Sequence, residues 1–487
     1  MADSRAERRT RPAANPIATL LFIAAFPAVV LFGLWRYALS QDDSAPPEPD
    51  RIAEFPATTP QTPVLSARRT PEVLARETSS TAFEGALRPL GGAVLPGSCA
   101  AVSVDGALAL SDGIDTAVTP ASTLKVATAA VALDVLGPDF VYTTTVHAEI
   151  VNGAVGSIYL VGGGDPLLAS SWYPDDGAYN KYPQQPATSF EALADAVVKA
   201  GVVQVGGNVV GDPSRYDAEL YPSEWPITFR AAEGGPISAL VVNDAITRGQ
   251  PGRAADPALA AAQEFTRLLQ ERGVVIAGQP TSGQMPTGLP AVASVSSAPL
   301  SQVIGEMLLN SDNNTAEMLV KEIGRAAKGA GSRAAGTSTV SERLESWGIP
   351  MAGVVVVDGS GLARENKFTC AAMMALLDRY RVDSPLVSAL AVAGRTGTLA
   401  DDFIGDPLEG RLMGKTGSLS GVKALVGYVP VDGVGTIRFA VMLEGNGVDQ
   451  EGTFRPIWET YLSDALSSYP AGPTADRLVP LPAVPNP

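Results

Sequence analysis

Hydrophobic and polar positions divide the chain into stretches of distinct texture. From Ile17 to Tyr37 the run IATLLFIAAFPAVVLFGLWRY is apolar apart from Arg36, and about 20 such residues span the hydrocarbon core of a bilayer. Residues 17–37 are therefore expected to form a single-pass membrane anchor. Arg5, Arg8, Arg9 and Arg11 precede the run, which keeps residues 1–16 in the cytoplasm and places everything after Tyr37 on the extracytoplasmic side, with Trp35 and Tyr37 at the interface. A signal-peptide core is usually ~7–15 residues long, so a retained anchor is favoured over cleavage at Ala38-Leu39-Ser40. Residues 38–76 then lose all sustained periodicity and carry Pro46, Pro47, Pro49, Pro56, Pro60, Pro63 and Pro71, the pattern of an extended tether. Residues 469–487 are again proline-rich and are expected to be unstructured.

Regular patterns fill the stretch between. AAVSVDGALALS reads as two short strands turning at Asp105-Gly106, and Ser122 to Leu136 has a helical spacing that ends at Gly137-Pro138. From residue 144 to 290 strands and turns dominate (VHAEIVNGAVGSIYLVGGG, VVQVGGNVVGD), with helical spacing near Phe190–Ala200 and Pro257–Arg272. After Ala291 the period becomes helical (PLSQVIGEMLLN, NTAEMLVKEIGRAAK), and ALVGYVPVDGVGTIRFAVML reads as a hairpin. One α/β domain, residues 77–143 and 291–468, interrupted by a strand-rich inserted domain at 144–290, accounts for this order.

Composition narrows the chemistry. Lys and Arg number 35 against 51 Asp and Glu, a formal charge of −16, which repels phosphate backbones and argues against nucleic acid as a partner. His147 is the single histidine, and Cys99 and Cys370 are the two cysteines. Zinc clusters and a Cys/His protease pair are thereby excluded, and a Ser-His-Asp triad would have to use His147. A nucleophilic enzyme here must otherwise take lysine, carboxylate or tyrosine as its base. Export would put both cysteines in an oxidising compartment, where they either pair or stay buried as thiols.

Three short elements carry candidate chemistry. Ser122-Thr123-Leu124-Lys125 opens a helix, and residues i and i+3 share a helix face, so the Lys125 amine can reach the Ser122 hydroxyl near the positive helix N-terminus. Alone, the pattern also describes a capping serine with a solvated lysine. Ser420-Gly421-Val422-Lys423 matches it too, but lies in a predicted strand, where i and i+3 point to opposite faces. Ser311-Asp312-Asn313 precedes a helix. It reads either as ordinary capping or as a proton relay at Ser311 with an amide at Asn313 to hold a substrate amide. Lys415-Thr416-Gly417-Ser418 begins a strand on which Lys415 and Gly417 face one way and Thr416 and Ser418 the other, the glycine leaving room for a substrate backbone. The near copy Arg395-Thr396-Gly397-Thr398 runs into acidic, non-strand sequence and is set aside.

Ser-x-x-Lys, Ser-x-Asn and Lys-Thr-Gly in this order form the signature of penicillin-interacting serine enzymes. The chain resembles the low-molecular-mass D-alanyl-D-alanine carboxypeptidases/endopeptidases of the penicillin-binding proteins, the type with an insertion between the first two motifs. VGGGDPLL, GDPSRYD, PISALVVND, SDNNTAEML, DGSGLARENKFT and MGKTGSLSGVKALVGYV carry the same resemblance, over about Glu77 to Ser468. It implies the penicillin-binding-protein/serine β-lactamase transpeptidase fold, an antiparallel sheet flanked by helices plus a helical lobe. The stretch between Ser122 and Ser311 is shorter than in family members with two nested extra domains, implying that one is reduced or absent, and Cys370 stands where the family usually has proline.

By the same resemblance Ser122 is the nucleophile and Lys125 its base, its pKa lowered by Lys415 and partial burial. Ser311 passes the proton to the leaving group, Asn313 orients the substrate amide, and Thr416 and Ser418 hold the terminal carboxylate. Backbone N–H groups of Ser122 and Ser418 form the oxyanion hole, and Arg364 binds the far carboxylate of a diaminopimelate side chain. Peptidoglycan stem peptides are the implied substrate and β-lactams the implied covalent inhibitors, with neither metal nor organic cofactor. Two other readings remain open at this point. A serine β-lactamase shares the motifs, although no Glu-x-x-Leu-Asn run follows Ser311, and a non-catalytic peptidoglycan-binding scaffold could retain the fold.

Overall fold

The computed structural model describes residues 16–41, 71–173, 186–431 and 435–470. Chain contacts separate Met1–Arg69 from Thr70–Pro487. The first unit contributes one described element, helix α1 (Pro16–Gln41), with Pro27 inside it and Val29, Leu31, Phe32, Leu34 and Trp35 exposed. Among the described residues no helix is long and apolar enough to cross a membrane. The side chains of residues 17–24 of the expected anchor lie outside the described residues, as do most of the expected tether and nearly all of the tail.

In the second unit the expected tether gives way early. Helix α2 (Pro71–Ala93) starts at Pro71, a residue suited to the first helical turn because its missing N–H would be unpaired there anyway. Phe83, Leu87 and Leu90, spaced along one helix face, are buried with Trp458, Leu462 and Leu466 against the main sheet.

That sheet has six strands: β1 (Cys99–Val104), β2 (Ala107–Asp112), β3 (Ala391–Val392), β4 (Met413–Leu419), β5 (Val422–Val431) and β6 (Gly435–Glu444). The order is β3-β4-β5-β6-β1-β2, antiparallel throughout. Pairing of β1 with β6 joins the two parts of the interrupted domain. Period-two alternation divides the strands between two cores: Ala100, Val102, Leu425, Val429, Phe439 and Val441 face α2, while Cys99, Ala101, Ala424, Val426, Tyr428 and Met442 face the helical lobe. The lobe contains α3 (Leu124–Val135), α4 (Leu300–Asn310), α5 (Asn313–Lys328) and α6 (Cys370–Asp378). Every residue of α3 from Leu124 to Ala132 is buried, Lys125 and Thr128 among otherwise apolar side chains. Cys99 and Cys370 are joined in a disulfide with their Cα atoms 6.0 Å apart, so the pairing alternative holds.

Between α3 and α4 a five-stranded mixed sheet runs in the order Pro280–Ser282, Val209–Asp212, Ile158–Val161, Thr143–His147, Ala291–Ser296. Helices Phe190–Lys199 and Pro257–Glu271 cover it, capped by Ser189 and Asp256. They bury Phe190, Leu193, Phe265 and Leu268 against Val146, Ile158 and Leu160. The insertion is thus a layered α/β unit, with both expected helices present. It grips α5. Arg215 donates twice to the buried Glu322 (2.9 and 2.6 Å), Tyr216 donates to the same carboxylate (2.9 Å), and Lys321 donates to Asp217 (2.6 Å).

Candidate active site

Ser122 does not open an α-helix directly. It lies in a 3-10 turn, Ala121–Thr123, that runs into α3. Ala121 is left-handed at φ +46°, a conformation costing a non-glycine residue about 1–3 kcal/mol that neighbouring structure must impose. Two glycines leave room for it. A Cβ on Gly417 would lie 2.8 Å from the Pro120 carbonyl oxygen, and one on Gly361 would lie 1.9 Å from that of Ala121. Gly417 therefore makes space for the protein's own nucleophile turn.

Lys125, one helical turn on, is fully buried. Its amine donates to Ser122 Oγ at 2.9 Å, Asn313 Oδ1 at 2.6 Å and the Ser360 carbonyl at 2.8 Å, which uses all three ammonium protons. Burial pushes its pKa down to about 8, opposed by Asp358, Asp312, Glu317 and Glu233. Burial was expected to contribute to this depression together with Lys415, but the repulsion between the two lysines is felt at Lys415. Burial, with Lys125 adding to it, holds Lys415 well below the ordinary lysine range. The Lys415 amine donates to the Thr416 carbonyl at 2.9 Å.

Within Ser311-Asp312-Asn313 the capping reading holds for the middle residue. Asp312 caps α5, accepting from Thr315 N at 2.5 Å. Ser311 ends α4 in the left-handed region at φ 61° and lines the cleft. Asn313 was expected to hold a substrate amide. Its Oδ1 accepts from Lys125 and its Nδ2 donates to the insertion's Glu233 carbonyl at 2.6 Å.

These groups surround a cleft of ≈ 510 Å³ lined by Ser122, Ser311, Asn313, Leu362, Thr416 and Ser418. Lys415 and Gly417, on the opposite face of β4, are buried beneath it. A second cavity of ≈ 550 Å³, beside Tyr216, Leu220 and Asp256, includes none of the motif residues. His147 stays in the inserted sheet, bonded to Thr145 Oγ1 and the Leu289 carbonyl, so no Ser-His-Asp triad forms. Arg364 is exposed and donates to the Ser420 carbonyl at 2.5 Å, at the turn that follows β4. Ser420 lies in that turn and not in a strand, so the duplicate Ser-x-x-Lys fails for a different reason from the one expected.

Residues 94–253 and 241–456 match the model of the D-Ala-D-Ala carboxypeptidase 3 (S13) family. The chain belongs to this family. It is 32% identical over 396 residues to the D-alanyl-D-alanine carboxypeptidase of Actinomadura sp. (strain R39), covering 67% of this chain and 73% of that one. A carboxypeptidase of Mycobacterium tuberculosis (strain ATCC 25618 / H37Rv) is 30% identical over 330 residues, covering 65% and 68%. The crystal structure of penicillin binding protein 4 from Haemophilus influenzae superposes with a TM-score of 0.66 at 20% identity, over 79% of this chain and 99% of that one. The shared fold is thus the penicillin-binding-protein fold, with its antiparallel sheet and helical lobe.

Several residues of this family member's site were not singled out in its sequence. Glu317 Oε1 accepts from the backbone N–H groups of Gly359 and Ser360 at 2.9 and 2.7 Å, fixing the carbonyl that receives Lys125. Burial and the neighbouring Asp358 raise its pKa to about 8. Asp358 is itself buried, accepting from Trp225 Nε1, Asn366 Nδ2 and the amides of Gly361 and Ala363. The run DGSGLAR marks this segment in the sequence, where Asp358 carries no local signal of its role. Thr398, in the near copy that was set aside, accepts from Thr416 Oγ1 at 2.8 Å. Lys423 reaches Ser418 and lines the cleft with it.

Proposed function

We propose that this serine D-Ala-D-Ala carboxypeptidase works through an acyl-enzyme on Ser122. The observation carrying this reading is the buried Lys125 amine, tied to Ser122 Oγ and lowered to about 8. Its neutral form takes the Ser122 proton as Oγ attacks the carbonyl of the penultimate D-Ala of a peptidoglycan stem peptide. The backbone N–H groups of Ser122 and Ser418 receive the oxyanion, and Asn313 keeps Lys125 aimed. The proton returns through Lys125 and Ser311 to the departing D-Ala amine, the C–N bond breaks, and water hydrolyses the ester. Thr416 and Ser418, above the buried Lys415, face the substrate's terminal carboxylate. β-Lactams would acylate the same oxygen, and D-Ala-diaminopimelate cross-links are a second substrate of the same geometry.

Arg364, beside the cleft at the end of the Gly359-Ser360-Gly361 turn, would bind the carboxylate of a diaminopimelate side chain bidentately. Residues 17–37 would anchor the protein in the cell membrane with the catalytic domain extracytoplasmic. That reading rests on the apolar run, the arginines preceding it, the helix Pro16–Gln41, and a disulfide of the kind that persists in oxidising compartments.

The deciding experiment exposes the purified protein and Ser122→Ala to a fluorescent penicillin. A stable adduct on Ser122, lost in the variant, is expected. Rapid turnover would mean a β-lactamase, absence of labelling a scaffold, and label on another residue would remove the proposed nucleophile.

A further inference from the structure

Lys423 stands directly across from Ser418 in the β4–β5 pairing, and its amine donates to Ser418 Oγ at 2.8 Å. The half-buried ammonium sits 4.0 Å from the centre of the Phe454 ring and 5.1 Å from that of Trp458. Both rings are buried, so the cation is held on a fixed aromatic platform. Burial lowers its pKa from the ordinary lysine range, with Asp402, Asp449 and Glu451 opposing this and Arg455 adding to it; Asp402 is also bridged by Arg455 at 3.1 Å. An ammonium can only donate, so Ser418 Oγ must accept from Lys423, and the serine's own hydrogen points elsewhere. Ser418 is exposed and lines the cleft. A parallel constraint acts on the next hydroxyl pair. Thr416 Oγ1 donates to Thr398 Oγ1, so the Thr398 hydrogen is not spent on Thr416, and Thr398 also lines the cleft.

We propose that Lys423 is a positioning residue that makes this site selective for a leaving group bearing a carboxylate. It turns the Ser418 hydroxyl outward as a donor and places a positive charge behind it, while Thr398, turned by Thr416, supplies the second donor. The inference rests on acylation at Ser122. It adds that recognition of the terminal carboxylate depends on a residue outside the three motifs and on a threonine from the sequence Arg395-Thr396-Gly397-Thr398.

Two thioesters test it. They share one N-acyl-D-alanyl group and differ only in the thiol that leaves, mercaptoacetate or 2-mercaptoethanol, so both give the same acyl-enzyme. The wild type should prefer the mercaptoacetate ester. Lys423→Met should lower kcat/KM for that ester about 10- to 100-fold, the worth of a charge-assisted hydrogen bond, mainly through KM, and change the mercaptoethanol ester less than about threefold. Lys423→Arg should restore most of the loss. Adding Lys423→Met to Ser418→Ala should cost little more than Ser418→Ala alone, as coupled residues require. Equal losses on both esters, additive losses in the double variant, or a wild type indifferent to the carboxylate would overturn the assignment. A wild type that cleaves neither ester would instead defeat the Ser122 reading, and this inference with it.

Discussion

At the scale of single residues, Lys125 shows how burial sets reactivity. While it is an ammonium, its three protons are spent on Ser122, Asn313 and Ser360. It can take the serine proton only after losing one of its own. With its pKa lowered to about 8, the neutral fraction grows tenfold per pH unit below that value and saturates above it. The rate constant for penicillin acylation should therefore rise from pH 6 to about 8 and then level, and a flat profile across that range would exclude Lys125 as the base. Lys125→Arg, which stays charged, should slow acylation about 10²–10⁴-fold, the usual worth of a general base. Arg364→Ala should cost roughly 1.5–3 kcal/mol in kcat/KM for a diaminopimelyl substrate and leave a diacetyl-lysyl analogue almost unaffected. Equal losses would assign the arginine to the shared machinery instead. Ser122 and Lys125 were legible because three-residue helical spacing is local. Glu317 and Asp358 were not, since each serves groups whose proximity exists only after folding.

Elements add what residue spacing cannot show. Helix α5 carries Asn313 at one end and Lys321 and Glu322 further along, and the insertion holds it at both places through the Glu233 carbonyl and through Arg215, Tyr216 and Asp217. The inserted unit thus sets where Asn313 stands relative to Lys125. The amphipathic helices and alternating strands were readable, as was the β5–β6 hairpin. The docking was not, because an arginine and a glutamate about a hundred positions apart give no local period. Arg215→Ala leaves Glu322, whose side chain is only 3% exposed, without its cation. Breaking such a pair costs about 3–5 kcal/mol, which should appear as a lower urea midpoint with unchanged slope, together with slower acylation. Arg215→Met with Tyr216→Phe and Glu322→Leu should recover most of the stability, since an apolar cluster needs no counter-charge and leaves no hydroxyl unpaired. A silent Arg215→Ala would mean that the insertion's grip on α5 depends on its other contacts.

For the whole molecule the decisive connections join sequence-distant segments. Strand β1 pairs with β6, and Cys99 on β1 is bonded to Cys370 at the start of α6, a separation of 271 residues. That loop contains Ser122, the entire insertion, Ser311, Asn313 and Arg364, so the bond ties the beginning of the catalytic sheet to the lobe that completes the site. Closing so long a loop removes much conformational freedom from the unfolded chain, and in the chain-entropy account a 100-residue loop is already worth about 4.7 kcal/mol. The reduced protein should therefore be less stable by about 3–5 kcal/mol, read from urea midpoints with and without reductant. Both sulfurs are buried, so reductant should act only on the unfolded form, and native protein should keep its label-forming activity in mild reductant. Cutting the chain once within the insertion should give two pieces that remain together on a denaturing gel until reduced. If the pieces part without reductant, or if the unfolded, unreduced protein titrates two free thiols, the two cysteines are not bonded and the long loop is held by β1–β6 pairing and side-chain packing alone.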